Sequence, residues 1–153
     1  MKLLFIEDND IKARLVIRWL NDNLQDATVV RKRSYQSGLR EALSGGYDHI
    51  LLDMSLPVYD EKSGVMGRDP LTFGGQYLLR EMKRKKAEAN VVVISQYKTF
   101  LQGNEVVTFE QLREELLRDF STLLKACIYL KSSSTWKSEL ETYFGLNDEN
   151  FNS

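Results

Sequence analysis

A chain of 153 residues, 42% hydrophobic and 28% charged, holds enough apolar side chain for one domain with a full core, and no separate output domain is expected within it. Its net charge of −1 argues against a nucleic-acid surface built on bulk positive charge, which needs Lys and Arg in excess to neutralise phosphates, so proteins are the expected partners. A lone Cys127 excludes an internal disulfide, MKLLFIEDND lacks the apolar core of a signal peptide, and no apolar run approaches the roughly 20 residues that cross a bilayer; the expected compartment is the cytoplasm, without membrane insertion.

Strand and helix signals alternate along the chain, which favours βαβ units over a sandwich or bundle. The first strand is expected over 2–7, running into Glu7 and Asp8. Over 10–24 the residues Ile11, Leu15, Val16, Trp19, Leu20 and Leu24 recur at helical spacing, so that segment is expected to pack as a helix on the sheet. A second strand is expected over 27–33, and a helix over 36–44 stopped by Gly45 and Gly46, where a left-handed cap costs little. The third strand, 48–54, has a continuous apolar run, as expected of a strand covered on both faces, and ends on Asp53. His49, just before that run, is expected on the surface.

Residues 55–73 carry Pro57, Gly64, Gly67 and Pro70 and show neither period, so they read as a long loop beside Asp53. Gly74 and Gly75 open a helix ending in the basic run 83–86, which suits the negative end of the helix dipole. The fourth strand runs through Val91–Ile94 to Ser95. A polar link, 96–107, precedes a helix with Phe109, Leu112, Leu116, Leu117, Phe120 and Leu124 on one stripe. The last strand, 126–131, ends on Lys131, and Ser132–Ser134 lead into a helix with Trp136, Leu140 and Phe144. The domain is expected over 1–145, with 146–153 as a flexible tail.

The expected architecture is an open five-stranded parallel sheet with helices on both faces. In such a sheet the strand carboxyl ends share one edge, where ligands bind. That edge would gather the carboxylates of Glu7, Asp8 and Asp53, the Ser95 hydroxyl and the Lys131 ammonium. Crowded carboxylates repel unless a cation sits among them, and Mg²⁺ favours one or two carboxylates with water and phosphate oxygens. The grouping reads as a metal and phosphoryl site.

From about Met1 to Gly145 the order of motifs resembles the receiver domain of two-component response regulators, a flavodoxin-like fold. Phe5-Ile6-Glu7-Asp8-Asn9 is similar to that family's acidic pair, and Ile50–Pro57 to its phosphoacceptor strand, with a proline four residues after Asp53. Ser95 and Lys131 match the hydroxyl residue and the lysine that end its last two strands. The resemblance implies that Asp53 is the nucleophile, taking a phosphoryl group from a histidine kinase, a phosphotransfer protein or a small acyl phosphate. It implies Mg²⁺ held by Glu7, Asp8, Asp53 and the backbone carbonyl of Ser55. Ser95 and Lys131 would contact phosphoryl oxygens, and a changed surface would engage a downstream protein.

The chain departs from the family in four ways. Gly75 lies 22 positions after Asp53, and Lys131 lies 36 after Ser95, both longer than the family's usual connections. Gln96 replaces a small residue after the hydroxyl. Ile128 stands at the aromatic switch position, with Tyr129 one place later and facing the other way. Ser132 follows the lysine where proline is common. A receiver-like interaction module without phosphotransfer therefore remains an alternative, and so does a Mg²⁺-dependent phosphatase with an aspartyl-phosphate intermediate, although Ser55 holds the place where such an enzyme carries its acid/base aspartate.

Overall fold

In the computed structural model, which describes residues 1–60, 73–130 and 135–146, strands β1 (Lys2–Ile6), β2 (Thr28–Lys32), β3 (His49–Leu52), β4 (Asn90–Ser95) and β7 (Leu124–Tyr129) form one parallel sheet in the order β2-β1-β3-β4-β7. Successive side chains of a strand point to opposite faces, and both faces here are apolar. Leu4, Ile6, Ile50, Leu52, Val91 and Val93 join one core cluster with residues of α2 (Tyr35–Ser44), α3 (Gly74–Arg84) and α4 (Phe109–Asp119). Their neighbours Leu3, Phe5, Leu51, Val92, Ile94 and Ile128 join the other, with residues of α1 (Asp10–Asn23) and α5 (Thr135–Tyr143). The expected doubly covered sheet is the observed one.

Helix starts follow from caps. Asn9 accepts the Lys12 N–H through its side chain, so α1 begins at Asp10, three residues after Glu7. Ser34 with Ser37 and Thr108 with Gln111 form reciprocal capping boxes at α2 and α4. Gly45 ends α2 at φ 80°, a conformation that disfavours any side chain. The buried face of α1, however, is Lys12, Ala13, Val16, Trp19 and Leu20. Ile11 and Leu15, counted above in its apolar stripe, are exposed.

The segment 96–107 is more than a polar link. It contains an antiparallel hairpin, β5 (Thr99–Gln102) with β6 (Glu105–Thr108), turned at Gly103. Phe100 anchors the hairpin to the core, its ring centroid 6.0 Å from that of Phe73, while Leu101 and Val106 face solvent. The last strand starts at Leu124, two residues earlier than expected. His49 is not a surface residue: it is half-buried, with Nδ1 2.6 Å from the Tyr143 hydroxyl and its ring against Phe144. Residues 61–72, Lys131–Ser134 and the tail from 147 lie outside the described residues, so the middle of the long loop and the serine cap before α5 do too.

Candidate functional site

The carboxyl ends of β1, β3 and β4 meet at one edge. Parallel register sets Ile6 beside Leu52 and Leu52 beside Val93, so Glu7 and Asp53 leave their strands side by side and Ser95 ends the next one. The Asp53 N–H still donates to the Ile6 carbonyl at 3.0 Å, which extends the ladder to the carboxylate-bearing residue itself. Glu7, Asp53 and Ser95 are all buried.

An ammonium joins them, and it comes from α1. Lys12, 3% exposed, donates from Nζ to Asp53 Oδ1 at 3.0 Å and to the Ile94 carbonyl at 2.8 Å, and lies 2.5 Å from Glu7 Oε1. One side chain thereby ties together the ends of three strands. Asp53 Oδ1 also accepts the Met54 N–H at 2.9 Å, whereas no described residue donates to Oδ2. Glu7 Oε2 accepts from the Asn9 N–H at 3.3 Å. Glu7 Oε1 is buried and outside proper hydrogen-bond geometry, although it is in ion-pair contact with Lys12. Ion pairing depends on distance more than angle, so the contact is real while one lone-pair direction stays unsatisfied. Burial is the main cause that pushes the Glu7 acid up to about 7; Lys12 pulls it down and Asp53 pushes it up.

Asp8 does not join this pair. It is exposed at the lip of the site, and among the described residues no three metal-binding side chains form one cluster. The loop carrying it is pinned by arginines: Arg31 donates to the carbonyls of Glu7 and Asp8, and both Arg31 and Arg33 pair with Asp10, whose carboxyl they hold down at about 2. Ser55 follows the site half-buried, and beyond it the Pro57 and Val58 carbonyls accept the Tyr35 and Gln36 N–H groups, fastening this stretch to the start of α2. Ser95 Oγ accepts the Tyr97 N–H at 3.2 Å. Lys131 falls outside the described residues.

No family model matches the chain. It is 23% identical over 143 residues to the Detocs response regulatory protein DtcB of Enterobacter cloacae, an alignment spanning 92% of this chain and 95% of that one. Among solved structures it resembles the CheY-like response regulator receiver domain protein of Methanospirillum hungatei, with a TM-score of 0.61 at 14% identity, covering 99% of this chain and 96% of that one. The chain has the receiver-domain fold. A second receiver, the response regulator TrrA of Thermotoga maritima in complex with Mg²⁺-BeF, superposes with a TM-score of 0.60 at 15% identity over 92% of this chain and 96% of that one.

Within this receiver fold the donor chemistry suits a hard divalent ion: a buried, unsatisfied carboxylate oxygen on Glu7 beside the Asp53 carboxylate, with Asp8 at the lip. Lys12 is the residue that the sequence reading missed. It lies four before Val16 and seven before Trp19, on the face that α1 buries, and that placement was the available signal. Ile128 and Tyr129 face opposite layers as expected, Ile128 in the α1/α5 cluster and Tyr129 against Phe109 with ring centroids 5.7 Å apart. Cys127 is buried, and its thiol is pushed up to about 12 by that burial. No described helix is long and apolar enough to cross a membrane.

Proposed function

We propose that this chain is a phosphoacceptor receiver that signals through protein contacts. The observation that carries the reading is the Asp53 carboxylate, held through Oδ1 by Lys12 and the Met54 N–H at the end of a buried strand. Oδ2 is then the attacking oxygen. It forms the new P–O bond as the P–N bond of a phosphohistidine, or the P–O bond of a small acyl phosphate, breaks and the leaving group keeps the electron pair. Glu7, Asp8, Asp53 and the Ser55 carbonyl would hold Mg²⁺, which when bound supplies positive charge to the phosphoryl oxygens. The Ser95 hydroxyl, which accepts the Tyr97 N–H, would donate its proton to a phosphoryl oxygen and so couple the new charge to the segment entering the β5–β6 hairpin. By resemblance, Lys131 would bring a second cation to the same group. The donor is a histidine kinase, a phosphotransfer protein or a small acyl phosphate, and the output is a downstream protein.

Intact-mass spectrometry after incubation with Mg²⁺ and a small acyl phosphate tests this, with Asp53→Asn as control. One added phosphoryl group in the wild type alone is expected. No addition, or the same addition to both, overturns it. A second reading, an interaction module that no longer relies on phosphotransfer, is favoured by Lys12, which already compensates the buried carboxylates; it is the reading left if the wild type stays unlabelled.

A further inference from the structure

We infer that Lys12 is a tethered competitor for the divalent ion, so that a metal enters the Glu7–Asp53 pair only when this ammonium withdraws. The inference rests on the reading of that pair as the metal site. A cation serving both carboxylates must approach Glu7 Oε1 and Asp53 Oδ1 together, and Lys12 Nζ does so now, at 2.5 Å and 3.0 Å. Its third contact, a hydrogen bond donated to the Ile94 carbonyl at 2.8 Å, holds the ammonium between the strand ends. Two cations a few ångströms apart in a buried site repel strongly, and so cannot share the same oxygens.

The device belongs to α1 and not to the strands. Lys12 is in the first turn of the helix, three residues after the Asn9 cap, with its side chain buried at the strand ends. The resting pocket therefore has one ammonium against its two carboxylates without a metal, and metal affinity is set against this internal ion pair. The consequence is regulatory: phosphoryl chemistry that depends on a divalent ion waits on the release of Lys12.

Mg²⁺ titration of wild type and Lys12→Met, read by amide NMR shifts of Met54 and Ser55 and by thermal melting with EDTA or excess Mg²⁺, tests this. Lys12→Met, which keeps the stem and removes the charge, should bind Mg²⁺ at least about tenfold more tightly and should melt higher with Mg²⁺ than with EDTA, whereas wild-type melting should hardly respond. Equal affinities, or a wild type stabilised by Mg²⁺ as much as the variant, overturn the inference. Should Lys12→Met not fold in EDTA, Lys12→Gln, which keeps a donor for the Ile94 carbonyl, gives the same comparison. Mn²⁺ broadening of the Met54 and Ser55 amides at micromolar metal in the wild type alone would also overturn it. Acyl-phosphate labelling of the same samples separates the two claims. Unlabelled protein with the Mg²⁺ contrast intact removes the phosphoacceptor reading and leaves the role of Lys12, while labelled protein without the contrast does the reverse.

Discussion

Gly75 rests so closely on Asp53 that a Cβ at this position would lie 2.5 Å from the Asp53 carbonyl oxygen and 3.0 Å from Met54 Cα. The Gly75 N–H donates to the Met54 carbonyl at 2.8 Å, so α3 is docked by its first turn onto the backbone that presents the carboxylate. The neighbouring atoms are main chain and cannot swing away. Gly75→Ala should therefore push the helix from the strand end, costing about 1–3 kcal/mol, in the range of overpacking substitutions. Urea denaturation measures the loss. Slower acyl-phosphate labelling of Asp53 should accompany it, and unchanged stability would mean that α3 sits further from Asp53 than this.

The Lys12–Asp53 ion pair predicts non-additivity. Removing the ammonium leaves two buried carboxylates without a counter-charge, and breaking a buried pair typically costs about 3–5 kcal/mol. Lys12→Met should approach the lower end, because Glu7, already pushed up to about 7, can take a proton and remove one of the charges. In an Asp53→Asn background the same substitution should cost clearly less. Denaturation of the wild type, both single variants and the double variant in EDTA completes the cycle. Costs that add within about 0.5 kcal/mol would show that the two groups do not interact.

Much of this site was legible because strand ends announce themselves: a continuous apolar run followed by a charge or hydroxyl identifies Glu7, Asp53 and Ser95, and a parallel sheet brings such ends to one edge. Lys12 was not legible by type, since a lysine in a first helical turn is ordinarily solvated; only its place on the Val16–Trp19–Leu20 face distinguishes it, and Ile11 and Leu15 drew the stripe one residue off. His49 was hidden for a related reason, as its partners Tyr143 and Phe144 come from the far end of the chain. The hairpin in 96–107 has strands of four residues, too short for period-two alternation to rise above its polar surroundings.

One ring is the hairpin's main anchor. Phe100 is buried between Phe73 and Tyr97 and half-buried Val107 packs on the same core, while Leu101 and Val106 are exposed, so the hairpin's apolar attachment centres on Phe100. Phe100→Ala should cost about 3 kcal/mol, the lower end for a buried Phe, because the site borders a surface hairpin that can settle. The five-stranded sheet does not include β5 or β6, so the far-ultraviolet circular dichroism should keep its α/β form. Amide exchange should quicken across 99–108 well before the central strands. Uniform loss of protection would show that the hairpin is part of the main cooperative unit.

His49 makes stability depend on pH. Burial lowers its pKa from the ordinary 6.5, and nearby Asp48 opposes that only in part. Tyr143, whose hydroxyl is pushed up to about 12 by burial, keeps its proton and shares a hydrogen bond with Nδ1 of the neutral ring. A group whose folded pKa is depressed contributes stability that is full above its unfolded pKa and is lost as the pH falls toward the folded one. The His49 contribution is thus complete above 6.5 and declines below it. Glu7 runs the opposite way in an overlapping window: raised from 4.5 to about 7, it contributes fully below 4.5 and loses that contribution as the pH rises through about 7. The wild-type profile mixes the two, whereas the difference between wild type and His49→Gln isolates the histidine. That difference should favour the wild type near about pH 7.5 and shrink toward about pH 5.5, measured by urea midpoints at fixed salt. A gap that stays constant across this range would mean that the His49 ring takes up its proton as easily in the folded chain as in the unfolded one.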